Sequence, residues 1–420
     1  MRAKLRLENI IVSGILLATV LIFFFKSNAF SYVDEGIAAA NNGVITAWRE
    51  KHPEQAVEDT LNTSSQVMTF SQVCTNFLNG LYSKIQLCEL NGGLAKKLGY
   101  VDFYKDTGGI LLDNGYVVGV YPPTTTDYEI QQMMELQAFC ENEDVKLLYV
   151  NEPTKYIDDT IIEEKLGQRS FINQNTDLLL NRLSDAGIGY IDLRDNIAEE
   201  GKDSFSLFCR TDHHWTTESG KWAAEIIAKE LNQNYGFNID MDKFDDSNYT
   251  FTQYEDAWLG EQGMKLSKAY VGLDNFTCIE PNFQTNYTVQ TMNGIYNGTF
   301  SETMIDKGNY RSDDLETIYA SPSWHYSYLR SGVNQSIIKN NTVEEGKVLV
   351  LGDSYEQVMV PFLSLGLNEV HTLVLRDYQG SLRDYIKTND IDTIVISYAS
   401  FMIGARDNPN SANYAMFVFH

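Results

Sequence analysis

The stretch Lys347-Val348-Leu349-Val350-Leu351-Gly352-Asp353-Ser354-Tyr355 decides the fold. Its first five residues form a near-continuous apolar run, the pattern of a strand buried on both faces at the centre of a parallel sheet. Gly352 permits a tight turn, and Ser354 opens a helix expected near 355–366. A hydroxyl so placed stands at the carboxyl end of a parallel strand, where open α/β sheets put their sites. The elbow pattern G-x-S-x-G is not met, because Glu356 occupies the position of the second glycine. Read alone, the turn is also compatible with a plain strand-to-helix junction capped by Ser354.

Working outward, strands and helices alternate. Downstream come a strand at 370–375, a helix at 380–388 and a strand at 392–397. Upstream, helices are expected at 126–144, 170–186 and 216–233, and strands at 145–150 and 189–193. In the 216–233 helix Trp222, Ala223, Ile226, Ile227 and Leu231 share one face. Two further strands flank the turn Asp113-Asn114-Gly115. Such alternation predicts an α/β fold with a parallel sheet flanked by helices. Residues 238–345 break the pattern, being rich in Asn, Thr, Tyr and Gly, and read as a β-rich or irregular insertion. The expected organisation is a leader at 1–29, a helical neck and irregular region at 30–107, a first α/β part at 108–237, the insertion at 238–345, and a second α/β part at 346–420.

The leader differs from the rest. Arg2, Lys4 and Arg6 precede an apolar run from Ile10 to Phe25, and Lys26 closes it. A basic start followed by an apolar stretch reads as an export signal. The run is 16 residues, short of the roughly 20 that a straight spanning helix needs. Ser27 and Ala29 suit a cleaved signal peptide, while Leu5 and Leu7 extend the apolar length toward a retained single-pass anchor. Either way the basic end stays inside and the body faces outward. The expected location is the bacterial cell membrane with an extracytoplasmic domain, or secretion if the leader is cleaved.

The chain has 420 residues, of which 43% are apolar, 21% charged and 12% aromatic, which excludes disordered, collagenous, coiled-coil and many-pass membrane classes. With 32 Lys+Arg against 57 Asp+Glu the net charge is −25. Such a chain repels phosphate backbones, so nucleic acid is not an expected partner. The five cysteines, Cys74, Cys88, Cys140, Cys209 and Cys278, show no CxxC spacing, so a zinc site is not indicated. A Cys74–Cys88 bridge is compatible with export.

The second informative stretch is Arg210-Thr211-Asp212-His213-His214-Trp215-Thr216, which holds two of the six histidines. A serine nucleophile needs an imidazole to take its proton and a carboxylate to hold that imidazole. Asp212 and His214, two apart on a loop before a helix, can supply both. His213 points the other way along an extended chain and reads as a packing or supporting residue. Asp212, His213 and His214 are all metal-ligand types, but no further His or Cys cluster lies nearby and adjacent residues chelate poorly, so no metal is expected.

These two stretches together carry a resemblance. Gly352-Asp353-Ser354 at a strand end resembles the nucleophile signature of SGNH hydrolases, and Thr211-Asp212-His213-His214-Trp215-Thr216 resembles the signature of the DHHW family. That family is similar to the SGNH-like proteins that O-acetylate alginate at the bacterial surface, in which an Asp-x-His pair precedes the serine. Here Ser354 follows His214 by about 140 residues. Similarity extends through Leu147–Tyr156, Asp192-Leu193-Arg194, Leu373–Tyr378 and the strand ending at Tyr398. The resemblance implies Ser354 as nucleophile, His214 as base and Asp212 as its orienting acid, with a structural role for Asp353 after Gly352. SGNH enzymes complete the oxyanion hole from later loops, and Gly380 and Tyr398 are the nearest candidates by position. Trp258-Leu259-Gly260-Glu261-Gln262-Gly263 sits where relatives carry a Gly-rich stretch.

Arg376 beside Asp377 is a candidate substrate contact or a structural ion pair. His52, His325 and His371 are isolated. Trp258, Tyr296, Tyr319, Trp324, Tyr326 and Tyr328 are candidates for stacking on sugar rings or for the core. The resemblance implies an exported, membrane-associated O-acetyltransferase acting on a cell-surface polysaccharide without a cofactor. A membrane-bound O-acyltransferase would be its acetyl donor. A carbohydrate esterase with the same triad, or a non-catalytic polysaccharide-binding or assembly protein, are the alternatives.

Overall fold

The β-branched and leucine-rich segments pair into one eight-stranded sheet. The computed structural model describes residues 84–99, 109–167, 169–306, 315–320, 327–404 and 411–420. The leader, nearly all of the neck, His52, Cys74, Trp324, His325 and Tyr326 lie outside these residues. Among the described residues no helix is long and apolar enough to cross a membrane.

The elements used below are, in chain order, β1 (Ile110–Leu111), β2 (Val117–Val118), α1 (Asp127–Asn142), β3 (Lys146–Glu152), α2 (Ile172–Asp185), β4 (Gly189–Asp192), α3 (Thr217–Asn234), β5 (Tyr249–Trp258), β6 (Asp274–Pro281), β7 (Tyr287–Thr291), β8 (Gly294–Gly298), β9 (Gln335–Asn340), β10 (Lys347–Leu351), α4 (Glu356–Leu363), β11 (Glu369–Leu373), α5 (Leu382–Thr388) and β12 (Thr393–Ala399). The sheet order is β4-β3-β12-β10-β11-β9-β7-β8. The first five strands are parallel, and β9, β7 and β8 continue the same sheet by antiparallel pairing. The chain steps outward from β10 to β11 and then returns to the other side of β10 as β12. That reversal leaves a crevice beyond the carboxyl ends of β10, β12 and β3.

Burial explains the near-continuous apolar runs. Val348 to Leu351 and Ile394 to Ile396 are fully buried, as are Leu148 to Val150. Each large apolar side chain so placed contributes about 1.5–3 kcal/mol relative to exposure. The helices cover both faces, as the alternation predicts.

The 238–345 insertion is not set apart from the sheet. Its strands β7, β8 and β9 extend one edge, with β9 in register along the whole of β11, and only β5 and β6 form a separate two-stranded ribbon. The strands expected around Asp113–Gly115 reduce to the short ladder of β1 and β2.

Two helix starts bring the chemistry together. Thr216 caps α3, accepting the backbone N–H of Ser219 at 3.2 Å. Gly220, one turn on, lets α3 lie directly on α4, since a Cβ there would sit 2.8 Å from Val358 Cγ2 and 2.9 Å from its carbonyl oxygen. The close crossing holds the loop before α3 against the turn before α4, and so holds His214 against Ser354.

Candidate active site

His214 Nε2 lies 2.7 Å from Ser354 Oγ. On the other side of the ring, His214 Nδ1 lies 2.5 Å from Asp212 Oδ1. An ionised carboxylate only accepts, so Nδ1 carries the proton and Nε2 is left to accept from the serine hydroxyl. Asp212 and His214 are buried, while Ser354 keeps partial exposure. The three residues singled out in the sequence are therefore joined in one hydrogen-bonded line, each within the reach that general-base activation of a hydroxyl requires.

The loop that carries Asp212 and His214 is fixed from several sides. Asp274, at the start of β6, accepts the backbone N–H of Arg210 at 2.8 Å and of Thr211 at 2.7 Å, and the Thr211 hydroxyl at 2.5 Å. Burial of Asp274 outweighs these bonds and raises its pKa. The Gly260-Glu261 backbone closes on the same loop: Gly260 N–H donates to Thr211 Oγ1 at 2.8 Å and Glu261 N–H to Asp212 Oδ2 at 2.6 Å. Lys155 is buried and donates to the carbonyls of Val117 and Arg210 at 2.6 and 3.1 Å and to Gln262 Oε1 at 3.2 Å. Burial brings its pKa down to about 8. Trp215 Nε1 donates to the Tyr355 carbonyl at 3.0 Å, and the Tyr355 hydroxyl donates to the His213 carbonyl at 2.6 Å. These last two bonds tie the histidine loop to the serine turn directly.

His213 does not face the serine. Its ring centre lies 3.9 Å from that of His214, with the two planes tilted by 37°, and it meets Phe401 edge-on at 5.6 Å. Burial and the neighbouring His214 take its pKa down to about 4, so its ring is neutral at pH 7. It borders a cleft lined also by Tyr121, Thr154, Lys155, Gln262 and Phe401. Both ring nitrogens of His214 are occupied by Asp212 and Ser354, which leaves the Asp-His-His group arranged for proton transfer.

Asp353 supports the turn. Its Oδ1 accepts the Tyr355 N–H at 2.9 Å and its Oδ2 the Ala399 N–H at 3.0 Å, linking β10 to the end of β12. Gly352 is required by its surroundings, because a Cβ there would run into the Glu356 side chain.

No hydrogen bond among the described residues joins Tyr398 or Gly380, the two candidates for the later oxyanion donors, to Ser354. The Tyr398 ring is fully buried, its hydroxyl donates to the Met416 carbonyl at 2.6 Å, and it packs edge-on against Phe417, so it serves the core. Gly380 is exposed, and a Cβ there would meet only the ring of Tyr378. Period and position could not separate these residues from true donors, since Tyr398 lies near the carboxyl end of β12 and Gly380 follows β11. Arg376 sits in the turn after β11, one-third exposed, with Nε 3.7 Å from Asp377 Oδ2. Trp258 and Tyr328 are core residues, Tyr296 lies under the Arg330 guanidinium at 4.6 Å, and Tyr319 donates to Glu89 at 2.6 Å. His371 is buried at the sheet, between Glu369 and the Tyr385 hydroxyl, each at 2.7 Å.

Residues 125–285 match the family model described as the SGNH hydrolase-like domain of the acetyltransferase AlgX. Over that span the chain is similar to an SGNH hydrolase-like domain. Among solved structures, PatB1 of Bacillus cereus superposes on the chain with a TM-score of 0.56 at 16% identity, over 74% of this chain and 99% of PatB1. PatB1 with a sulfonyl adduct gives 0.55 at 19% identity, over 74% and 97%. A DHHW family protein from Eubacterium siraeum gives 0.51 at 17% identity, over 73% and 93%. At these identities the likeness is one of fold. No curated protein matches the chain significantly. The matched span of the SGNH hydrolase-like domain includes Asp212 and His214, and ends before Ser354.

Proposed function

We propose that this protein is a serine O-acetyltransferase that moves acetyl groups onto hydroxyls of a cell-surface polysaccharide. The observation that carries the reading is the line from Asp212 through His214 to Ser354 Oγ, with contacts of 2.5 and 2.7 Å. His214 takes the Ser354 proton as Oγ attacks the carbonyl carbon of an acetyl ester. Asp212 holds the ring and stabilises its charged form. The negative charge on the tetrahedral oxygen falls at the start of α4, where we assign the Ser354 backbone N–H as a donor. Collapse expels the donor alcohol, which takes the proton from His214, and leaves acetyl-Ser354. A sugar hydroxyl then gives its proton to His214 and attacks the acetyl carbon, and Ser354 recovers its own proton as the ester departs. The base contributes about 10²–10⁴-fold and one oxyanion donor about 10²–10³-fold.

The comparison with an AlgX acetyltransferase domain supports acyl transfer as the reaction. The basic and apolar leader at 1–29 supports export, either anchored in the membrane or released by cleavage. Acetyl-CoA is not expected outside the cell, so we assign a membrane-bound O-acyltransferase as the source of acetyl. The net charge of −25 fits a neutral or cationic acceptor. The test is to supply an acetyl ester together with polysaccharide fragments and to follow O-acetyl signals on the glycan by NMR. Acetylated glycan, lost in Ser354→Ala, supports the proposal. Acetate alone at every acceptor concentration overturns transfer in favour of an esterase. No turnover by folded protein favours a binding role.

A further inference from the structure

Three carboxyl groups are fully buried directly behind the serine turn: Glu152 at the end of β3, Asp353, and Glu356 at the start of α4. One oxygen of each lies within 4.8 Å of the others. Most of their remaining oxygens have donors. Asp353 accepts from Tyr355 and Ala399, Glu152 Oε1 accepts the Ser397 hydroxyl at 2.8 Å, and Glu356 Oε2 accepts the Asp353 N–H at 2.5 Å. Glu152 Oε2 and Glu356 Oε1 have no hydrogen-bond partner among the described residues, although the two buried carboxyls lie within 4.8 Å of one another. Two carboxylate oxygens cannot bond to one another without a proton. Two charges with no cation in contact would be very costly at this depth.

We propose that the Glu152 and Glu356 carboxyls share one proton, and that the pair is a positioning device for Ser354. Through Glu356 Oε2 it fixes the Asp353 N–H, and Gly352 is bare so that the Glu356 carboxyl can lie across it. The groups facing the pair are Asp353 beside it, Tyr149 on β3 and Tyr398 on β12, with Glu129, Asp192, His214 and Arg376 further out. Burial raises Glu152 and Glu356 well above the usual carboxylate range, and Asp353 raises both; Glu152 also raises Glu356, while the Ser397 hydroxyl and Glu356 partly offset the rise at Glu152.

The sign of the pH effect follows. The folded state keeps a proton that the unfolded chain releases above its ordinary glutamate pKa. The stability contribution is complete below about pH 4.5 and declines as pH rises, by up to about tenfold in the folding equilibrium per pH unit for one proton.

The experiment is thermal unfolding of the full-length protein from pH 4.5 to 9, wild type beside Glu152→Gln, with ester turnover measured on both and on Glu356→Gln and Glu356→Ala. A Gln at 152 donates permanently to Glu356. Expected is a Glu152→Gln protein more stable than wild type at pH 8, with the gap closing toward pH 4.5. Glu356→Ala should lose at least about 30-fold in kcat with little change in KM, and Glu356→Gln should recover most of it. The positioning role rests on the proposed acyl chemistry, whereas the shared proton is read from unfolding alone. A stability gap independent of pH overturns the proposal. So does a rise in wild-type melting temperature on adding calcium or magnesium that Glu152→Gln lacks, which would make a cation the neutralising partner.

Discussion

Glu261 donates its backbone N–H to Asp212 Oδ2 at 2.6 Å, while the other oxygen of that carboxylate meets His214 Nδ1. Asp212 is therefore held by a segment 49 residues further along the chain. This matters because a carboxylate that can rotate orients nothing.

Asp212→Asn tests the orienting role. The amide can present an N–H to His214 Nδ1, which then must accept, and Nε2 would carry the proton and face Ser354 as a donor. A drop in kcat of about 10⁴ is expected with the fold intact. It is checked by ester turnover beside circular dichroism, and a loss under tenfold would remove Asp212 from the mechanism.

Gly260→Ala should damage the site by crowding. The added Cβ would lie 2.5 Å from both Asp212 Cβ and the Thr211 carbonyl oxygen, and neither belongs to a flexible side-chain end. Overpacking of this kind costs about 1–3 kcal/mol. Expected are a lower melting temperature and a fall in kcat larger than for the isosteric control Glu261→Gln, whose backbone N–H is unchanged.

Asp274→Ala removes three acceptor contacts from the histidine loop and leaves the buried Thr211 N–H and the partly buried Arg210 N–H without that acceptor. Each orphaned group costs about 1–3 kcal/mol. Expected is a destabilised protein whose residual folded fraction also has reduced kcat. Full activity per folded molecule would show that the loop holds its shape without Asp274.

Glu369 governs acid stability away from the site. Burial alone would raise its pKa, but His371, Lys339 and Lys347 win and hold it at about 2. The stability it contributes is present above its unfolded pKa, near 4.5, and is lost as pH falls toward 2. His371 is lowered, chiefly by burial, so it also resists charging as pH drops below about 6.5. Both effects weaken the fold in acid. Glu369→Gln should lower stability at pH 7 by about 1–3 kcal/mol and flatten the loss between pH 4.5 and 2, read from chemical denaturation at each pH.

The parallel half of the sheet was legible because burial on both faces leaves a simple trace: Val348–Leu351 and Ile394–Ile396 are uninterrupted apolar runs. The position of Ser354 followed from the strand end, and Asp212 and His214 from residue type and spacing. The antiparallel edge was harder. β7 and β9 alternate buried and exposed positions with Thr, Ser, Gln and Asn among the apolar residues, so they read as insertion although they join the sheet. The supports of the site were hidden for another reason. Asp274 and Lys155 act through backbone groups far away in sequence, and no local pattern marks a residue whose partner is a distant N–H or carbonyl. Gly260 and Glu261 were noticed as a Gly-rich segment, but only the fold places them on Asp212. Glu152 and Glu356 were passed over because acidic residues are usually solvated.

The most direct test of the central claim is the intact mass of the full-length protein after brief exposure to a chromogenic acetyl ester, with Ser354→Ala treated in parallel. The account predicts a gain of one acetyl group on the wild type, mapped to the Ser354 peptide and absent from the variant. An acetyl group at another residue, or equal labelling of the Ser354→Ala protein, would contradict it.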